Sequence, residues 1–66
     1  MNVTVNRTKV EIFEGAQAQH AVLRYLVHRH LAQSWLKRGC IQDAYGHQIG
    51  LDAPLREGQI IKFKIR

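Results

Sequence analysis

Sixty-six residues, 45% of them apolar, with ten Lys and Arg against five Asp and Glu, leave room for one small domain over residues 1–66 and argue against a disordered chain. The formal charge of +5 suits either plain solubility or an acidic partner such as RNA or an anionic protein surface. The single cysteine, Cys40, cannot close an internal disulfide. With no apolar run near the ~18 residues of a membrane span and no secretory leader, the expected setting is the cytoplasm, away from a membrane.

Met1 to Asn6 alternates, with Val3 and Val5 on one side and Asn2, Thr4 and Asn6 on the other, the period of a half-buried strand. Asn6-Arg7-Thr8 predicts a tight turn, since Asn tolerates left-handed backbone. Lys9 to Phe13 predicts a second strand with Val10 and Ile12 inward, and so short a connection makes the pair an antiparallel hairpin. Glu14-Gly15 breaks the alternation, and Gly15 supplies the positive φ that turns the chain out of the sheet. Ala18, Ala21, Val22, Tyr25 and Leu26 then recur at helical spacing, which predicts a helix from about Gln17 to about His30. Gln17 is a poor N-cap. Leu23, Val27 and Leu31 widen the apolar face and need cover from the next segment or from a partner, a second copy of the chain included.

One helix running on to Arg38 would be ~30 Å long and would overhang so small a sheet. A break is therefore expected near Ala32 to Ser34, with Ser34 capping a short turn that holds Trp35 and Leu36 and ends at Gly39. Trp35 is expected to plug the end of the core. Cys40 to Ala44 predicts a third strand, with Cys40 a small core residue rather than a nucleophile. Tyr45-Gly46-His47 turns into a short return strand, Gln48 to Gly50. Between Leu51 and Leu55, Pro54 forbids a regular ladder, and Asp52 is expected to hydrogen-bond backbone in that loop. After a turn at Glu57-Gly58, the final strand points Ile61, Phe63 and Ile65 inward and Ile60, Lys62, Lys64 and Arg66 outward.

The order strand, strand, helix, strand, short strand, strand predicts an α+β domain. Its mixed sheet has four or five strands, with one main helix packed across one face and the first and last strands parallel at the centre, the β-grasp arrangement. Two stretches carry a resemblance to the ubiquitin-like β-grasp proteins. Glu14-Gly15-Ala16 is similar to the helix start of the small sulfur carriers of thiamine and molybdopterin synthesis. Gly46, Leu51, Asp52, Pro54, Leu55 and Gly58 stand at the spacing of a motif that recurs in TGS domains, with Tyr45 in place of the usual Asn and Gln59 in place of the usual Asp. The carrier resemblance implies a mobile Gly-Gly tail bearing a thiocarboxylate, whereas this sequence stops at Ile65-Arg66. What carries over is therefore an expected fold and not an expected reaction.

No nucleophile elbow, phosphate loop or paired carboxylates stand out, so no catalytic residue, cofactor or enzyme activity is expected. Of the four histidines, His28 and His30 point about 200° apart on a helix and cannot share an ion, and His20 and His47 have no ligand at a convincing spacing; no metal is expected. The candidate partner-binding set is the outward row Ile60, Lys62, Lys64 and Arg66, extended by Arg7 and Lys9. A second basic group comprises Arg24, His28, Arg29, Lys37 and Arg38. The leading expectation is a small non-catalytic module that binds a protein through its exposed sheet face. The alternatives are a sulfur-carrier-type protein without its tail and a TGS-like accessory domain that contacts RNA or a nucleotide. No exposed aromatic pair on a strand offers base stacking, so sequence-specific RNA binding is not indicated.

Overall fold

The computed structural model describes residues 1–65. Five strands, β1 (Asn2–Val5), β2 (Thr8–Glu11), β3 (Gly39–Asp43), β4 (Gln48–Ile49) and β5 (Ile60–Ile65), form one mixed sheet in the order β2-β1-β5-β3-β4. Helix α1 (Ala18–His28) packs on one face, followed by a short 3-10 helix, Gln33–Arg38. β1 runs parallel to β5, with Thr4 beside Ile60 and Val5 beside Ile61, and the other three pairings are antiparallel. The β1–β2 connection is two residues long. Asn6 (φ 49°) and Arg7 (φ 68°) both sit in left-handed backbone, the turn class whose twist matches that of the strands.

The core is the meeting of two periodicities. Val3, Val5, Val10, Ile41, Ile61 and Phe63 come from alternate strand positions, and Ala18, Ala21, Val22 and Leu26 from one stripe of α1. Leu26 and Ile61 are fully buried, each contributing about 1.5–3 kcal/mol of apolar transfer. The three small side chains Ala16, Ala18 and Ala21, all buried, let the start of α1 lie close against the sheet. Tyr25 is only half-buried at the margin of this stripe, and Trp35 packs partly buried against the core's edge under the Arg38 guanidinium, 5.7 Å from its ring centroid.

Several expectations need correcting. Ile65 keeps the inward parity of β5 but is 47% exposed, because its neighbour across the ladder is Gly39, which has no side chain to cover it. Cys40 is not a core residue: it pairs with Lys64 and shares its outward parity, half-exposed. Ser34 lies inside the 3-10 helix, and Ala32 occupies the N-cap position. The Asp52 side chain makes no hydrogen bond among the described residues, and Leu51 is exposed.

Both ends of α1 are held by specific hydrogen bonds, and at the N-terminal end some of these come from far along the chain. The Ala18 and Gln19 N–H groups donate to the carbonyls of Ala53 (2.8 Å) and Leu51 (2.9 Å), so the 50–55 loop caps the helix. The Gln17 N–H donates to His20 Nδ1 at 2.8 Å, which makes His20 a capping residue. At the other end His30 (φ 59°) stands where glycine is usual. The Leu31 N–H reaches Leu26 O and the His30 N–H reaches Val27 O, a Schellman motif that ends the helix two residues earlier than predicted.

The β3–β4 turn hangs on Asp43, whose Oδ1 accepts the Tyr45 and His47 N–H groups, both at 2.9 Å. The His47 N–H bond, followed by the Tyr45 bond and the nearby imidazole, holds the Asp43 carboxyl below the ordinary aspartate range. A folded-state value below the unfolded one stabilises the fold above the unfolded value. That contribution is lost as pH falls through the lowered folded value. The urea midpoint is accordingly expected to drop below about pH 4, and Asp43→Asn to flatten that part of the profile. An unchanged acid limb in the variant would contradict the assignment.

Candidate interaction surface

β5 is the central strand, so its outward side chains occupy the middle of the free sheet face rather than its rim. Ile60 is 51% exposed there, and Lys62 and Lys64 are exposed beyond it, ~7 Å apart along the strand. Their neighbours across the ladders are uncharged: Thr4 beside Ile60, Gln42 beside Lys62 and Cys40 beside Lys64. Among the described residues neither lysine has an ionic partner. Among the described residues the one close ion pair is His47 with Asp43, at 3.7 Å. The two ammonium groups are thus available charges carried on apolar stems above a neutral floor.

The β1–β2 turn closes one side of this row. Thr4, Asn6, Arg7, Ile60, Ile61 and Lys62 line an open, mainly apolar depression of about 370 Å³. The depression thereby brings together three of the sequence-predicted residues, Ile60, Lys62 and Arg7, and Lys64 follows two residues further along β5. Lys9 lies on the same face but two strands away, through Thr4 on β1, on the edge strand β2. Arg66 lies outside the described residues.

The sequence marks Asn6 as the outward end of the first strand and a turn residue, and in the structure it also orders this surface. Its Nδ2 donates to Phe63 O (2.9 Å) and its Oδ1 accepts the Phe63 N–H (2.8 Å). A side-chain amide therefore continues the parallel ladder past Val5 and holds the segment of β5 between Lys62 and Lys64. Asparagine's ability to imitate a peptide group at a positive φ is the signal that points to it.

The second basic group does not form one patch with the first. Arg24, His28 and Arg29 sit exposed on and after α1, with His28 and Arg29 bordering a shallow depression shared with Thr8 and His30. Arg38 is engaged with Trp35. Among the described residues no three His, Cys, Asp or Glu side chains converge on one point. Nor is any described helix long and apolar enough to cross a membrane.

No protein-family model matches the chain, and no curated protein matches it in sequence.

Proposed function

We propose that the chain is a ubiquitin-like β-grasp module, without catalytic activity, that binds a protein partner through the outer face of its sheet. The observation that carries this reading is Lys62 and Lys64, without an ionic partner among the described residues, beside an exposed isoleucine on the central strand. An apolar contact at Ile60, flanked by desolvatable cations and by Arg7, suits a partner presenting an aliphatic or aromatic side chain next to carboxylates. The parallel β1–β5 pairing with α1 across the opposite face supports the β-grasp assignment, since that crossover leaves one sheet face uncovered. A protein is favoured over RNA because the outward positions of the strands carry no aromatic ring on which a base can stack.

Capture from the source cell with two charge-matched variants tests the reading. Lys62→Glu/Lys64→Glu and Arg24→Glu/Arg29→Glu each remove four units of formal charge, from +5 to +1. The strand pair is expected to weaken the bound protein by about tenfold or more, and the helix pair to leave it within about twofold. Equal losses in both variants, or loss only in the helix pair, would count against the sheet face.

A further inference from the structure

We infer that two copies of this chain associate through β2, antiparallel and centred on Val10, to make one continuous sheet. β2 is an edge strand with four regular residues and no proline or bulge to protect it, whereas the other edge strand, β4, has only two. The hydrogen-bonding parity of β2 follows from the end of its ladder. Met1 and Ile12 exchange backbone bonds, Met1 N to Ile12 O at 2.6 Å and Ile12 N to Met1 O at 2.8 Å. Pairs alternate along an antiparallel ladder, so Val10 and Thr8 also bond inward to β1, and the N–H and C=O groups of Lys9 and Glu11 point away from the sheet.

That parity admits antiparallel self-pairing centred on residue 9, 10 or 11. Centring on Lys9 or on Glu11 sets like charges directly opposite each other. Centring on Val10 sets Lys9 against the second copy's Glu11, and Glu11 against the second copy's Lys9. It forms four main-chain bonds and two opposite-charge cross-strand pairs on the outer face. The strand is complementary to itself in one register only.

The two-fold axis of such a pairing stands perpendicular to the sheet, so both helices lie on the same side of it. The flank of α1 above β2 is the one left uncovered. Phe13 is 59% exposed and Val27 51%, and with Ile12 and Leu23 they line an open apolar groove of about 250 Å³. The 3-10 helix does not cover these side chains, and a second copy brings an identical flank to face them across the seam. This surface is separate from the Ile60, Lys62 and Lys64 row, which stays open in the dimer.

Sedimentation equilibrium of the full chain near 0.15 M salt, from about 10 μM to about 1 mM, tests the pairing. The wild type is expected to show a monomer–dimer equilibrium. Lys9→Glu alone and Glu11→Lys alone each place like charges in both cross-strand pairs and are expected to weaken self-association about tenfold or more. An equimolar mixture of the two variants restores opposite charges in both pairs and is expected to dimerise at least as well as the wild type. Wild type that stays monomeric throughout, single variants that associate like the wild type, or a mixture that does not recover would each overturn the proposal. Because Lys62 and Lys64 are untouched, such an outcome leaves the sheet-face reading to be judged by its own experiment.

Discussion

Replacing Gly39 with alanine is expected to lower the thermal unfolding midpoint by about 10–20 °C, the effect of about 2–3 kcal/mol on a domain of this size. The backbone at Gly39 is extended (φ −124°), a conformation open to any residue, so the cost is one of contact and not of dihedral strain. A Cβ built there stands 2.5 Å from Lys64 O and 2.5 Å from both Cε1 and Cζ of Phe63. Neither neighbour gives way cheaply. The Lys64 carbonyl belongs to the central strand, and the Phe63 ring is 5% exposed, held within the core. At Gly15, Gly46 and Gly58 an added Cβ meets open space, and only the positive φ opposes it, at about 1 kcal/mol. The double substitution Gly39→Ala/Phe63→Leu is expected to cost less than the two single changes added together, because a smaller side chain yields the space. A Gly39→Ala protein that unfolds within a degree or two of the wild type would show that Phe63 does not lie over Gly39.

Asn6→Ala is expected to cost about 2–3 kcal/mol, read from the urea midpoint at unchanged slope. Two contributions combine: both amide bonds to Phe63 are lost, at about 1 kcal/mol each, and a residue with a Cβ but no local polar group is left at φ 49°. Asn6→Gly separates them. Glycine accepts the backbone but makes neither bond, so its loss should be smaller than that of alanine. Asn6→Asp keeps an acceptor for the Phe63 N–H and turns a carboxylate oxygen toward the Phe63 carbonyl. It is expected to be no better than alanine at neutral pH. Equal stability of all three variants and the wild type would contradict the role given to Asn6. The clamp also has a functional reading: it anchors the peptide between Lys62 and Lys64, and its loss should loosen the proposed recognition row as well as the fold.

What was legible in the sequence follows from how local each cause is. The alternation of Ile60 to Lys64 encodes which side chains leave the sheet, and the structure exposes Ile60, Lys62 and Lys64 accordingly. The same alternation could not say whether an inward residue finds cover, which is why Ile65 was misplaced. Gln17 reads as a weak helix start because, beside the His20 ring three residues on, the acceptors for the first N–H groups of α1 are Leu51 and Ala53, far along the chain. His30 hid the helix end by standing where a glycine would have announced it. Asp43 and Asp52 are indistinguishable by type in their turns, and only Asp43 has two N–H groups within reach. For the candidate surface, the row on β5 was readable from period two. Its neighbours Thr4 and Asn6 were not, because they depend on the register between β1 and β5. The uncovered flank at Leu23 and Val27 was visible as an apolar excess on α1, but its relation to the free edge of β2 needed the strand order.

The outer sheet face as the recognition surface is tested most directly by amide chemical-shift mapping of the labelled chain against the protein that it captures. The account predicts that perturbed amides gather on Thr4, Asn6, Arg7, Cys40, Gln42 and the 60–64 segment, with α1 quiet. Perturbations gathered instead on Arg24, His28 and Arg29, with the 60–64 segment unmoved, would contradict it.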